Sequence, residues 1–438
     1  MRGLWHPALW RLAPSGAALA GLLILAALQR AGLAEAYRVT LSLWDVFAYP
    51  MPFLDLSNSL AAWDCTRLGF DVVQNNPCDI LGRPYNYSPV WMAFHAIPLT
   101  QADLPALGLL LDVTFILSLA ALPPAADRGE LLLRILAATS SMVAFVAERA
   151  NIDAGIFLLV LAAVLLLRGG TAWRMVGYGV VAAAAAIKYY PATLLALALR
   201  ERPAVFAAVA LIGAIGGGWL VDVYVQDMIR GARYIPAGSP FGDMFGARNM
   251  RLGLLLIMFK ASGSVAIAWA TALGGTAMVA VLTAVRGLRM WRRADWPRAL
   301  AALPQAQRWP LLAAALLIVG CFFAGQNIAY RGIFLLLALP GLGALRRVGQ
   351  PVVARLCACA AVTIVLLMWI EAVRWWITLL GLALGMPKPA VGALQALIWL
   401  GRELAWWGLI GHFGLLLAAF LTEAPLLHVL LRRRRAHA

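Results

Sequence analysis

Acidic side chains are scarce in this chain: 20 Asp and Glu stand against 36 Lys and Arg in 438 residues, a net charge of +16. Charged residues of all kinds make up 13%, where soluble domains carry about 25%. With 63% hydrophobic residues, that excludes an ordinary soluble domain. Metal-ligand spacing is also lacking. The five histidines are scattered, and Cys321, Cys357 and Cys359 fall in apolar runs where they read as packing. No cofactor is expected, and a divalent cation least of all where no paired-acid motif offers to hold it. No Walker-type glycine loop is present, which argues against nucleotide hydrolysis. There is no internal repeat and no low-complexity region. The N-terminal apolar stretch has no small-residue cleavage site and reads as a first span. The basic residues sit in short clusters between apolar runs. That pattern suits positive-inside topology and anionic lipid better than nucleic acid, which is not an expected partner.

What the chain does have is hydrocarbon. Several apolar runs reach the ~20 residues that cross a bilayer core. They are continuous, not alternating, so they are helices and not barrel strands. The expected fold is all-α and polytopic, with about ten to twelve transmembrane helices in one integral-membrane domain, 1–438. Lys and Arg beside the spans set the orientation. Arg2 and Arg11 place the N-terminus inside, a span at about 14–34 exits, and 35–103 is a large first outer loop. Spans at about 104–122, 131–147 and 153–167 follow. Segment 168–202 then has arginines at both ends and Lys188-Tyr189-Tyr190-Pro191 in the middle. Pro191 lacks an N–H, and the residue before a proline is pushed from α geometry. The reading is a re-entrant pair of half-helices, about 173–187 and 191–200; the alternative is one kinked span. Beyond it lie a span at 203–222, a second outer loop at 223–250, a span at 263–285 and a basic cytoplasmic loop at 286–308. Spans 309–324 and 327–345 meet in an outer turn. Span 351–372 leads to a third outer segment, 374–404, and the last span, about 405–430, ends inside at Arg432 to Arg435. The expected location is a bacterial plasma membrane with both termini cytoplasmic.

The chemistry-bearing residues gather on the outer side. Up to Gln101 the first outer loop holds six of the acids: Glu35, Asp45, Asp55, Asp64, Asp71 and Asp79. A carboxylate beside a membrane cavity can act as general base; the plain alternative is solvation of a loop. Asp55, with apolar neighbours Phe53 and Leu54, is the leading candidate and Asp45 the reserve. Cys65 and Cys78 share this loop and suit a disulfide in an oxidising compartment, or equally two free thiols. Asn86 and Tyr87 precede the turn signal Ser88-Pro89, in an aromatic run suited to interface anchoring or to stacking on a sugar ring. Glu148, Arg149, Asn151 and Asp153 form a polar turn between two apolar runs; they face water or each other, or simply cap the next helix. Lys188 is an ionisable group within an apolar segment, a functional candidate with Tyr189 beside it; its alternative is snorkelling. Gln326, Asn327, Tyr330 and Arg331 open the 327–345 span, where a guanidinium suits a phosphate or a lipid headgroup. Arg248, with Asn249 and Arg251, is a weaker anion contact.

Five of these pieces occur in a familiar order: PFLDLSNS around Asp55; GFD with NPCDILGRPYNYSPVW; ERANID (148–153); IKYYP (187–191); and GQNIAYRGIFLLLALP. Over roughly 45–345 the chain resembles the GT-C membrane glycosyltransferases, in particular glycosyltransferase family 87. ERANID and KYYP are similar to that family's ERGNxD and K-x-YP patterns, with Ala150 standing where glycine is usual. The resemblance implies a GT-C-like fold and an inverting hexosyl- or pentosyltransferase of the cell envelope, such as a mannosyltransferase. It implies a polyprenyl-phosphate sugar donor and a lipid, glycan or polymer acceptor. Asp55 takes the base role. Lys188, Arg331, Arg248 and Tyr189 take the donor phosphate. Glu148, Arg149, Asn151, Asp153, Asn86, Tyr87, Gln326, Asn327 and Tyr330 line the site. The alternative from another class is a non-catalytic carrier or scaffold for a lipid-linked glycan, which would show two halves of similar hydropathy; none is visible.

Overall fold

Among the described residues eight helices are long and apolar enough to cross a membrane, the first Leu9–Arg30 and the last Lys388–Thr422. They belong to a computed structural model that describes residues 7–49, 51–235 and 238–425. Ala329–Leu337 and Leu339–Val348 add a ninth if they count as one span bent by 43°. Ile152–Leu166 and Thr171–Ile187 are apolar but shorter. The only strands among the described residues are Met244–Phe245 and Asn327–Ile328, a two-residue antiparallel pair. The protein is an all-helical membrane protein. Local chemistry sets the helix starts: Asp127, Asn151 and Ser264 accept from backbone N–H groups as N-caps, and Pro203 and Pro351 sit in the first turn, where the missing N–H is harmless.

The chain divides into two compact units, each assembled from separated segments. The first takes Met1–Phe47, Leu122–Ala144 and Ala237–Thr422. In it Pro7–Arg30 packs on Arg128–Ala138, and Lys388–Thr422 packs on Val265–Arg293, Gln305–Ala324 and Pro351–Ala383. Trp296, Trp399, Trp406, Phe322 and Phe413 fill its core. The segment expected as a third outer segment, 374–404, is helical and forms the adjoining parts of Pro351–Ala383 and Lys388–Thr422. Its charges do not break the helices because they pair inside the protein: Arg402 lies 2.7 Å from Glu371 and 3.0 Å from Glu403. The basic segment 286–308 is likewise mostly helical, in Val265–Arg293, Trp296–Ala301 and the start of Gln305–Ala324. The expected inside position of Arg2, of Arg432 to Arg435 and of the end of the last span concerns residues outside the described ones.

The second unit takes Ala48–Ala121 and Phe145–Pro236. The expected loop at 223–250 begins later than its polarity suggests, because Pro203–Ala232 continues as helix. Arg230 pairs one turn back with Asp227 and also with Asp71 at 2.6 Å, so the polar end keeps helical geometry. Within the segment expected as the first outer loop, Leu54–Arg67 is helical, and Cys65 and Cys78 are joined by a disulfide.

The stretch around Lys188 folds back on itself. Thr171–Ile187 ends at Lys188, whose backbone is extended (φ −150°, ψ 119°), and Tyr190–Arg200 runs on as a 3-10 helix. The far ends meet: Arg174 forks onto Glu201 at 2.8 and 2.9 Å, and Tyr178 donates to the same carboxylate at 3.1 Å. Burial alone would push the Glu201 carboxyl up, but Arg174 and Arg200 outweigh it and hold it below the usual range. Seventeen helical residues rise about 25 Å, so this clip and the Lys188 tip lie at opposite ends of a hairpin. Replacing Cys65 and Cys78 together by Ala should lower stability by about 3 kcal/mol, the loop-closure value for a short ring. Thermal unfolding in detergent checks it, and an unchanged midpoint would show that other contacts hold the loop.

Candidate functional site

Asp55 is placed by its neighbours before it does any chemistry. Phe53 adopts a left-handed backbone (φ 62°) and starts the Leu54–Arg67 helix. Its N–H donates to the Glu148 carbonyl at 2.8 Å, and its ring lies against Gly108, where any β-carbon would collide with it. The helix entry is thus pinned at two points. Asp55 follows in the first turn, where unpaired N–H groups favour an acid.

The turn at 148–153 supplies its partner. Asn151 donates from Nδ2 to Asp55 Oδ2 at 2.6 Å. The other end of the amide is engaged as an acceptor: Asn151 Oδ1 takes the Asp153 N–H at 2.8 Å and the Lys188 ammonium at 3.4 Å. An amide oxygen so held leaves only the NH2 to face Asp55. Asn151 is therefore at once the N-cap of Ile152–Leu166 and the orienting group of the aspartate. Lys188, at the hairpin tip, is buried and pairs with Asp153 at 2.7 Å. Tyr190 donates to the same Asp153 oxygen at 2.7 Å. The Tyr87 ring lies 5.4 Å from the ammonium, and Ser88 ties its strand of loop to the hairpin by donating to the Ala186 carbonyl at 2.6 Å.

On the other side of Asp55 stands Arg83, from the NPCDILGRPYNYSPVW stretch. Its Nη1 is 3.7 Å from Asp55 Oδ1. Asp79 grips the same guanidinium in a fork, at 3.0 Å to Nε and 2.7 Å to Nη2, and Asn58 braces Asp79 at 3.1 Å. Burial is the largest single influence on Asp79 and pushes it up. The Arg83 and Asn58 hydrogen bonds with the Arg83 charge outweigh that and hold the carboxyl below its usual range. An Asp-x3-Arg spacing in a loop carries no sequence signal; only the fold shows the fork.

The remaining expected residues separate into groups. In the second unit, Glu148 pairs with Arg149 at 2.8 Å, and Arg149 stacks on Tyr49 with 4.2 Å to the ring centre. Asn86 donates to the Tyr234 carbonyl at 3.1 Å, and Tyr189 is exposed. Asp45, Arg248, Gln326, Asn327, Tyr330 and Arg331 belong to the first unit. There Asp45 faces Arg374, Arg331 bonds Asn327, and Gln326 donates to Asn249 at 3.0 Å. Arg248 is exposed while Asn249 beside it is buried against Glu403 at 2.8 Å. Among the described residues no group of three or more His, Cys, Asp or Glu could hold a metal ion.

Two outcomes follow from this geometry. The depressed Asp79 carboxyl stabilises the fold above the ordinary aspartate range, near ~3.9, and loses that contribution as pH falls through its lowered folded value. Asp79→Asn should therefore melt below wild type at pH 7, with the gap narrowing in acid; a gap that widens would refute the pairing. Ala150 sits in the left-handed region (φ 40°), which is strained by roughly 1 kcal/mol for an L side chain. Ala150→Gly should raise the melting midpoint, and a fall would show that the turn needs the methyl group. No family model, curated protein or solved structure matches this chain.

Proposed function

We propose that the protein is an inverting membrane glycosyltransferase of GT-C type that moves a sugar from a polyprenyl phosphate to an acceptor hydroxyl, with Asp55 as general base. The observation that carries the reading is the Asn151–Asp55 hydrogen bond within a polar chain running from Tyr190 and Lys188 to Arg83. Three fragments that carry the family resemblance, PFLDLSNS, ERANID and IKYYP, converge there although they are far apart in sequence. A base needs an oriented carboxylate within reach of the acceptor proton, and Asn151 orients this one. Arg83 is the guanidinium beside Asp55, suited to the negative charge that grows on the leaving phosphate. Lys188 is buried against Asp153 and Asn151, whereas Arg83, though paired with Asp79, keeps 30% of its side chain exposed, so the role of Lys188 in this reading shifts from gripping phosphate to holding Asn151. Tyr87 is an aromatic face on which a sugar ring can stack.

Orientation belongs to the same proposal. Arg168, Arg174, Arg200 and Arg202 gather at the clip end of the hairpin, and the positive-inside rule places that end in the cytoplasm. The hairpin then enters the membrane without crossing it, and Asp55 lies outside. The Cys65–Cys78 disulfide supports an oxidising outer compartment for that loop. Short helices such as Ile152–Leu166 account for a count below the expected ten to twelve, since length alone leaves them out. The location is a bacterial plasma membrane with cytoplasmic termini.

The test is transfer from a polyprenyl-phosphate sugar by purified protein in detergent. Asp55→Asn should reduce the rate about 100-fold or more, the usual contribution of a positioned base, with the protein still folded. Asn151→Ala should reduce kcat with little change in KM for the donor. Full activity in Asp55→Asn would remove the base assignment. Lipid-linked glycan bound but never turned over by the wild type would favour the carrier reading.

A further inference from the structure

The first unit contains a cavity that the proposed transfer chemistry does not use. It measures about 750 Å³, within the range that holds small molecules. Leu256, Ile257 and Phe259 form one wall, and Asp45, Lys260 and Arg374 supply its charged groups. Leu256 and Phe259 are about half exposed, at 49% and 48%. Exposed apolar side chains beside a cavity of a membrane protein suit contact with a lipid.

Its charged end is built, not incidental. Arg374 donates to the Phe241 carbonyl and pairs with Glu371 at 2.9 Å, which fixes the guanidinium. Its contact with Asp45 is longer, 3.8 Å, and leaves that side open to a better acceptor. Lys260 is one of only three lysines in the chain. Among the described residues it has no carboxylate partner. Glu371 is shared between Arg374 and the buried Arg402, so the mouth itself carries two cations against Asp45.

We propose that this cavity binds the head of an anionic phospholipid, with Arg374 and Lys260 on the phosphate and the acyl chains lying along Leu256 and Phe259. The proposal stands apart from sugar transfer. A guanidinium and an ammonium beside an apolar wall match an amphiphile with one phosphate. A neutral lipid would leave Lys260 unanswered, and free phosphate would leave the apolar wall unused. Binding competes with Asp45 for Arg374. Burial raises the Asp45 carboxyl to about 6 against the pull of Arg374, with Glu371 and Asp243 adding to the rise. Protonation on the acid side of that value releases Arg374, so lipid binding tightens as pH falls through it.

The experiment is native mass spectrometry of the full chain in neutral detergent. It is titrated with phosphatidylglycerol, whose phosphodiester stays charged throughout, with diacylglycerol of the same chains, and with inorganic phosphate as competitor. The expected result is retention of phosphatidylglycerol alone, weakened about tenfold by Lys260→Gln, the value of one charge-assisted contact. Affinity should rise from pH 7 to pH 5 in wild type and stay flat in Asp45→Asn. Arg374→Gln disturbs the Glu371 pair and is a second variant, read only if it melts as a folded protein; Lys260 is exposed, and its replacement leaves that network intact. Equal binding of diacylglycerol, displacement by inorganic phosphate alone, or unchanged affinity in folded Lys260→Gln would each overturn the proposal.

Discussion

The amide of Asn151 can face only one way, and the candidate site depends on that. Its oxygen is claimed twice, by the N–H of Asp153 that opens a helix and by the ammonium of Lys188. Its NH2 is then directed at Asp55. A helix cap, a common device of local structure, here becomes the positioning group for a carboxylate. The Asp153 N–H is the closer of the two claims, at 2.8 Å, and the Lys188 ammonium adds to it at 3.4 Å.

The same rule governs charge elsewhere. An isolated ion in a low-dielectric interior is costly, and the cost is met by a partner close at hand. In the second unit the hairpin is closed at one end by Arg174 and Glu201 and anchored at its tip by Lys188 and Asp153. In the first unit Arg402 sits between Glu371 and Glu403, with Asn249 on Glu403. These networks let long helices run through segments whose charge suggests a loop, as at 374–404. Arg83 is held by the same rule, in the fork of Asp79.

Much of the local structure was legible. The apolar runs gave the helices, the arginines at 174 and 200 marked both ends of one broken segment, and Pro191 marked its middle. Asn151 as a cap could be read from its place before an apolar run. Pairings between distant residues could not. Nothing in the order of residues says that Arg83 forks onto Asp79 beside Asp55, because neither spacing nor composition distinguishes such a loop from a solvated one. The helix ends were misjudged where polar residues found partners: Arg230 with Asp227 and Asp71 extends one helix past the expected boundary.

The sequence by itself determined the class of protein, since hydrophobic length and charge scarcity follow from composition and need no fold. It also determined the short list of polar residues an apolar chain would have to accommodate. Only the tertiary structure decided how they divide. Asp45, the reserve to Asp55 on sequence grounds, belongs with Arg374 in the first unit, while Asp55 belongs with Asn151 in the second. Lys188 is the partner of an aspartate before it is anything else. The physical reason is that a charge's role is set by which opposite charge comes within a few ångströms of it, and that distance is a property of packing, not of position along the chain.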